Sequence, residues 1–231
     1  MNKHRLWSIA ALLTLSTPLS AHAQSVVVDE GTFAVEIGGV VAGTETFSIR
    51  RSGIGRNATY FATGVVNATI ADAPREIRPL LRASGDEGVA VGYQVKIAAA
   101  EALEVVMNLA PPRYLARFTS STGQEEREFR ARVDTRVVDA MVAHQFHFLA
   151  GVSVGDVVPI IEPASRRDYD ATVQTVADVE LAMGPVTVQA RRVEFAGAAG
   201  VRVVWFNRQG FVLRVEVPDL GYSAQRTDLV S

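Results

Sequence analysis

The feature that most constrains this chain is apolar alternation with a period of two, broken at short intervals by glycine-bearing turns. Residues 201–217, VRVVWFNRQGFVLRVEV, show it best. With Arg208, Gln209 and Gly210 as a three-residue loop, Asn207 faces Phe211, Trp205 faces Leu213, Val203 faces Val215 and Val201 faces Val217. Arg202 then pairs with Glu216 on the other side, and Gly210 stands where such a loop needs a left-handed residue. A slip of one residue would set Arg214 beside Val203 and spoil the apolar face. Val204, Phe206 and Val212 imply that the second face is partly covered too. Within this hairpin Trp205 is expected to be a core anchor rather than a ligand-stacking residue.

The same alternation recurs through the chain. Phe33, Val35 and Ile37 share a face before Gly38-Gly39, and Phe47 and Ile49 share one in the segment that follows. Residues 57–70 read as a long strand bent or bulged at Gly64. Val89, Val91, Tyr93, Val95 and Ile97 are in phase. Residues 102–109 fit a strand or a short helix, and Val105-Val106 with Pro111-Pro112 favour the strand. Residues 113–119 and 125–133 flank a plain hairpin loop, and the mixed-charge run GQEEREFRAR reads as a solvated strand. Residues 169–181 and 186–195 make another pair, and 222–227 can add a last strand. Pro74 and Pro79 argue against a central strand over 71–83, which reads as a connection.

Residues 134–150 are the one helix candidate. Asp134 or Thr135 can cap it, Val138, Met141, Val142, Gln145 and Leu149 recur near helical spacing, and Gly151 stops it. The expected fold is mainly β: a single long curved antiparallel sheet, half-barrel or open barrel, with one helix packed against its concave side. No linker or repeat divides residues 24–231, so they read as a single β-rich domain.

Residues 1–23 have the form of a secretory signal peptide. Lys3, His4 and Arg5 precede an apolar run, and Ala21-His22-Ala23 offers small residues for cleavage. The alternative is an uncleaved anchor, but the run is short for a membrane span. Periplasmic or secreted localisation follows, with no transmembrane segment after cleavage. Without Lys3 and Arg5, the 23 basic and 25 acidic residues shift to a formal charge of roughly −4, which gives no footing for a nucleic-acid partner. The chain has no cysteine, so its fold rests on packing, and thiol catalysis and Cys-ligated metal are excluded.

Chemistry-bearing constellations are sparse. His144 and His147 lie three apart on the expected helix, close enough to share a metal, with Asp139 roughly a turn away from His144; the expected role is instead that both cap the rim of a core or face solvent. Gly151-Val-Ser153-Val-Gly155 has the lettering of a nucleophile elbow but not its strand-then-helix context. Asp168 and Asp170 have same-side strand spacing but no general-acid partner. Arg166-Arg167 and Arg191-Arg192 are too isolated to form an anionic groove. No catalytic residue, cofactor or metal is therefore assigned.

Three stretches carry a family likeness: GTFAVEIGGVVAGTETFSI, VDTRVVDAMVAHQFHFLAG and VVWFNRQGFVLRVEVPDLGYSAQR. With its Trp before a polar Gly-containing turn and an apolar strand after it, the chain resembles bacterial periplasmic all-β families designated domains of unknown function. It is also distantly similar to half-barrel lipoprotein carriers and to glycolipid-binding families. The resemblance implies a curved sheet and an envelope role, and carries no catalytic residues. The expected function is that of an exported binding or carrier protein for a lipid-like or amphipathic envelope molecule, with Met141, His144, Phe148 and Tyr93 as candidate ligand contacts. The alternative is a structural or assembly factor of the cell envelope working through protein–protein contacts, such as sheet-edge addition, and, behind that, a hydrolase.

Overall fold

A computed structural model describes residues 25–130 and 132–228. The expected signal segment lies outside the described residues. The strands are β1 (Val26–Ile37), β2 (Val40–Ser52), β3 (Thr59–Ile70), β4 (Ala73–Ser84), β5 (Val89–Ala98), β6 (Leu103–Ala110), β7 (Arg113–Ser120) and β8 (Gly123–Phe129). After them come β9 (Arg136–Val137), β10 (Val157–Glu162), β11 (Arg167–Met183), β12 (Val186–Gly197), β13 (Gly200–Phe206), β14 (Val212–Val217) and β15 (Tyr222–Arg226). They form one 15-stranded sheet in the order β8-β7-β6-β5-β4-β3-β2-β1-β15-β14-β13-β12-β11-β10-β9. Every pairing is antiparallel except the short β9–β10 contact. The sheet is open: β8 and β9 are its two edges.

Connectivity forces this sheet to roll. Laid flat, it would span roughly 65 Å between its edges at the usual strand spacing. Yet β8 and β9 are joined only by residues 130–135, which reach about 25 Å at full extension. The β9 edge does not pair with β8. It lies against β5, and just beyond it Asp139 takes a 2.5 Å hydrogen bond from the Tyr93 hydroxyl of β5. Side chains bridge the remaining seam. Arg166, in the β10–β11 turn, sits 4.6 Å over the Phe118 ring of β7 and 3.7 Å from Glu125 of β8. Arg132 pairs with Asp170 of β11.

The expected helix over 134–150 is not formed. Its place is taken by β9, a turn, and a short 3-10 helix, Ala143–Leu149, that touches β3, β9 and β14. Ala143, His144, Gln145, Phe146 and Leu149 are all buried, so burial surrounds this helix instead of striping one side. An amphipathic α-helix needs a polar face toward water, and this segment has none to offer.

Residues 71–83 correct the reading in the other direction, since β4 is a central strand despite its prolines. Pro79 lies opposite Gly64, where the β3–β4 ladder is interrupted between Thr63↔Leu80 and Val66↔Ile77. The donor that proline lacks therefore falls where no bond is made. Pro74 sits at the start of the strand.

The Val201–Val217 hairpin forms with the expected loop, and the Asn207 N–H donates to the Phe211 carbonyl at 2.9 Å. Its register then shifts by one. A bulge at Leu213 sets Trp205 opposite Arg214, Val203 opposite Glu216 and Val204 opposite Val215. The slip is tolerated because both faces are covered. Val204, Phe206, Val212, Val215 and Val217 join the main core. Val203, Trp205 and Leu213 form a second cluster outside the sheet with Leu181, Met183 and Ala190. Arg202 does not meet Glu216; it is buried, bonding Glu162 Oε1 at 2.8 Å and the Ala199 carbonyl.

Candidate functional site

Two regions concentrate polar side chains: a buried girdle around the short helix, and a cleft at one end of the roll. In the girdle, Glu45 of β2 points inward between Phe33 and Phe47. Its carboxylate accepts the Ala143 N–H at 2.7 Å, the His144 N–H at 3.0 Å and His144 Nδ1 at 2.6 Å. With Nδ1 donating, His144 Nε2 is left buried without a partner among the described residues, as is the Tyr222 hydroxyl. The imidazole lies flat on the Phe47 ring, 5.6 Å between centroids. Gly64 gives it room, because a Cβ there would come within 2.8 Å of His144 Cε1.

Beside this pair, three side chains close a ring. Tyr93 donates to Asp139, the Asp139 N–H donates to Gln145 Oε1 at 2.7 Å, and Gln145 Nε2 donates to the Tyr93 oxygen at 3.2 Å. Burial pushes the Asp139 carboxyl up to about 6, although bonds from Tyr93 and the Ala164 N–H favour its charged form. Burial likewise raises the Tyr93 and Tyr222 phenols. A histidine oriented by a carboxylate is half of a nucleophile-activating unit. Here it holds the interior together, since both partners are sealed from solvent.

The cleft has a volume of about 610 Å³. Its walls come from separate parts of the chain: Tyr60 of β3, the β4–β5 turn with Asp86 and Glu87, Asp134 and Arg136 before the short helix, His147 to Val152, Asp156 to Pro159, and Gln209-Gly210 of the late hairpin. Gly88, at φ +64, is the residue that admits Phe148, whose ring would lie 2.5 Å from a Cβ there. Phe148 in turn meets Tyr60 edge-on at 6.0 Å. Arg136 is held by the Phe148 carbonyl at 3.2 Å and the Asp134 carbonyl at 2.8 Å. Burial drives His147 down to about 4, so it is neutral at physiological pH, stacked 6.1 Å from Phe211.

The sequence-derived candidates do not converge on one place. Phe148 lines the cleft, Tyr93 and His144 belong to the buried girdle, and Met141 is half-buried against the core. His144 and His147 diverge, toward Glu45 and Phe211 respectively, and no group of three His, Cys, Asp or Glu converges as a metal site among the described residues. Ser153 lies exposed in a turn with its N–H bonded to Asp156 at 2.7 Å. Asp170 is engaged by Arg132 at the seam. Sequence reasoning passed over Glu45, Tyr60, Asp86, Arg136 and Asp156. For Glu45 a signal was available: an acid in phase with Phe47 and Ile49 on an inward face.

No family model and no curated protein sequence matches the chain. Two solved structures are similar to it. One is a β-barrel-like protein of the domain-of-unknown-function family DUF1849 from Brucella abortus, 10% identical, with a TM-score of 0.48 over 85% of this chain and 93% of that one. The other is a DUF1089 family protein from Pseudomonas aeruginosa, 11% identical, with a TM-score of 0.38 over 94% of this chain and 98% of that one. Both belong to domain-of-unknown-function families, the kind that the sequence resembles.

Proposed function

We propose that the protein is an exported, periplasmic or secreted, binding or carrier protein for an amphipathic envelope molecule, which it takes up at the end cleft. The observation that carries this reading is the cleft's two-sided lining. Tyr60, Phe148, Val157 and Val158 supply an apolar wall, and Asp86, Glu87, Asp134, Arg136 and Asp156 supply charge. Its volume, about 610 Å³, lies in the range of small-molecule sites. The short helix is largely buried and touches β3, β9 and β14, so this reading puts the ligand at the mouth of the roll and not along its axis. A second opening, bounded by Ala42, Thr69, Pro74 and Ala99, is wider and largely alanine-lined, with fewer groups to orient a ligand. Sheet-edge addition is the less favoured role. The free edge strand β8 carries Glu125, Glu126, Arg127 and Glu128, and charge of this kind discourages added strands.

Native mass spectrometry of the purified protein, followed by organic extraction, is expected to show a co-purifying amphipathic molecule. Phe148→Ala with Arg136→Ala should lower its occupancy by about tenfold, as expected for losing a ring contact and a held cation. Unchanged occupancy in that double variant would place the ligand elsewhere, and its absence from the wild type would remove the carrier reading.

A further inference from the structure

The rim of the cleft differs from its walls. Four large aliphatic side chains stand out into solvent around it: Ile54 (79% exposed), Val133 (83%), Val154 (61%) and Val157 (53%). They come from three segments that border one opening: the β2–β3 connection, the stretch before β9, and the stretch leading into β10. Val157 lines the cleft itself, Val133 adjoins Asp134, and Val154 lies between Val152 and Asp156. Ile54 precedes Gly55, whose Cβ position is 4.0 Å from the Asp86 carboxylate. Scattered exposed valines are ordinary, but single aliphatic tips ringing the mouth of a cleft are an arrangement.

Charge around the same mouth says what they meet. Exposed Arg56 follows Gly55 and exposed Arg208 precedes the cleft-lining Gln209, while Asp86 and Glu87 line the cleft itself. A rim with both signs matches a layer of zwitterionic headgroups. Phosphates face the guanidinium groups and ammoniums face the carboxylates, while the aliphatic tips reach the acyl boundary. A strongly anionic layer would be repelled by the carboxylates, and a folded protein partner would need four separate pockets to receive the four tips. We infer that this end of the roll docks on a zwitterionic phospholipid surface, setting the cleft against the membrane from which it draws its ligand. The docking gains its purpose from the carrier reading but is tested apart from it.

The test uses residues 24–231, the expected mature chain, and flotation with vesicles of phosphatidylcholine and phosphatidylethanolamine. The wild type is expected to float. Ile54→Ser, Val133→Ser and Val154→Ser combined should cut the bound fraction by about tenfold, since three exposed aliphatics no longer enter the bilayer. Val40→Ser with Val41→Ser is the matched control. These residues are 69% and 71% exposed but sit at the opposite end of β2 from Ile54. Their loss should leave flotation unchanged. Equal loss in both variants, or no flotation by the wild type, overturns the inference. The Phe148→Ala and Arg136→Ala variant should still float, so failure of ligand capture and failure of docking are separately visible.

Discussion

Along β1, β2 and β3 the inward side chains include Phe33, Val35, Phe47, Ile49, Ala62 and Val66, carbon surfaces that need only each other. Along 136–149 the buried set includes Asp139, His144 and Gln145, each held by named polar partners. The wall is specified by pattern and the filling by particular bonds. A wall residue can be exchanged for another apolar one of similar volume at modest cost. In the filling, a single deletion leaves several buried groups unpaired.

Glu45 is where the two regions meet, and it should show the largest effect. Glu45→Ala removes the acceptor for two backbone N–H groups and for His144 Nδ1 in a sealed site. Three stranded donors imply a loss of roughly 4 kcal/mol or more in a urea titration. Glu45→Gln keeps one carbonyl acceptor and should lose about half as much. If Glu45→Ala lost less than about 1 kcal/mol, the short helix would not depend on this carboxylate, and the contrast between wall and filling would fail.

Trp205 tests the wall. It is 9% exposed, in the smaller cluster outside the sheet, with Arg192 and Arg214 at 5.6 and 5.5 Å from its ring. Trp205→Ala is expected to cost about 3 kcal/mol, the low end for a lost core aromatic, because the outer cluster is thin and the two arginine stems can settle into the gap. A loss matching or exceeding that of Glu45→Ala in the same titration would show the outer cluster to be as demanding as the filling.

This division also explains how much of the fold was legible. A period of two marks the wall strands between their bulges, since each side chain on a pleated strand reports its own face. The alternation at Phe33, Val35 and Ile37 therefore survived, as did the phase of Tyr93, Val95 and Ile97, but Val89 and Val91 fall out of that phase at a register shift in the β4–β5 ladder, where Ala90 is buried instead. The bulge at Leu213 did not show, because the register argument rejected a one-residue slip for spoiling one apolar face, and with both faces covered that slip costs little. Pro79 misled because the ladder gap opposite Gly64 is a property of two strands together. The 134–150 segment has helical spacing of apolar residues by number, yet its polar residues also face inward. What buries them, above all Glu45, lies some hundred residues away in sequence. The cleft was illegible for the same reason, being assembled from turns that local pattern cannot bring together.

The smallest effect separates two groups of the filling by pH. Asp139 is raised from 3.8 to about 6, so the folded chain holds its proton more tightly than the unfolded chain. Its contribution to stability is present in full below about pH 4 and is lost as pH rises through about 6. His147 is lowered from 6.5 to about 4, so the folded chain resists its protonation. Its contribution is present above about pH 6.5 and is lost as pH falls through about 4. Each amounts to roughly 3 kcal/mol at most, with opposite sign across nearly one window, so the wild type should change little between pH 6.5 and 4 on their account. Asp139→Asn leaves His147 unopposed, and the urea midpoint should fall steadily on acidification. His147→Gln leaves Asp139 unopposed, and the midpoint should rise. Parallel profiles in the two variants would mean that neither group is as dry as its surroundings imply. Water would then reach the filling through the cleft, and the wall and the filling would no longer differ in the way that matters for specificity.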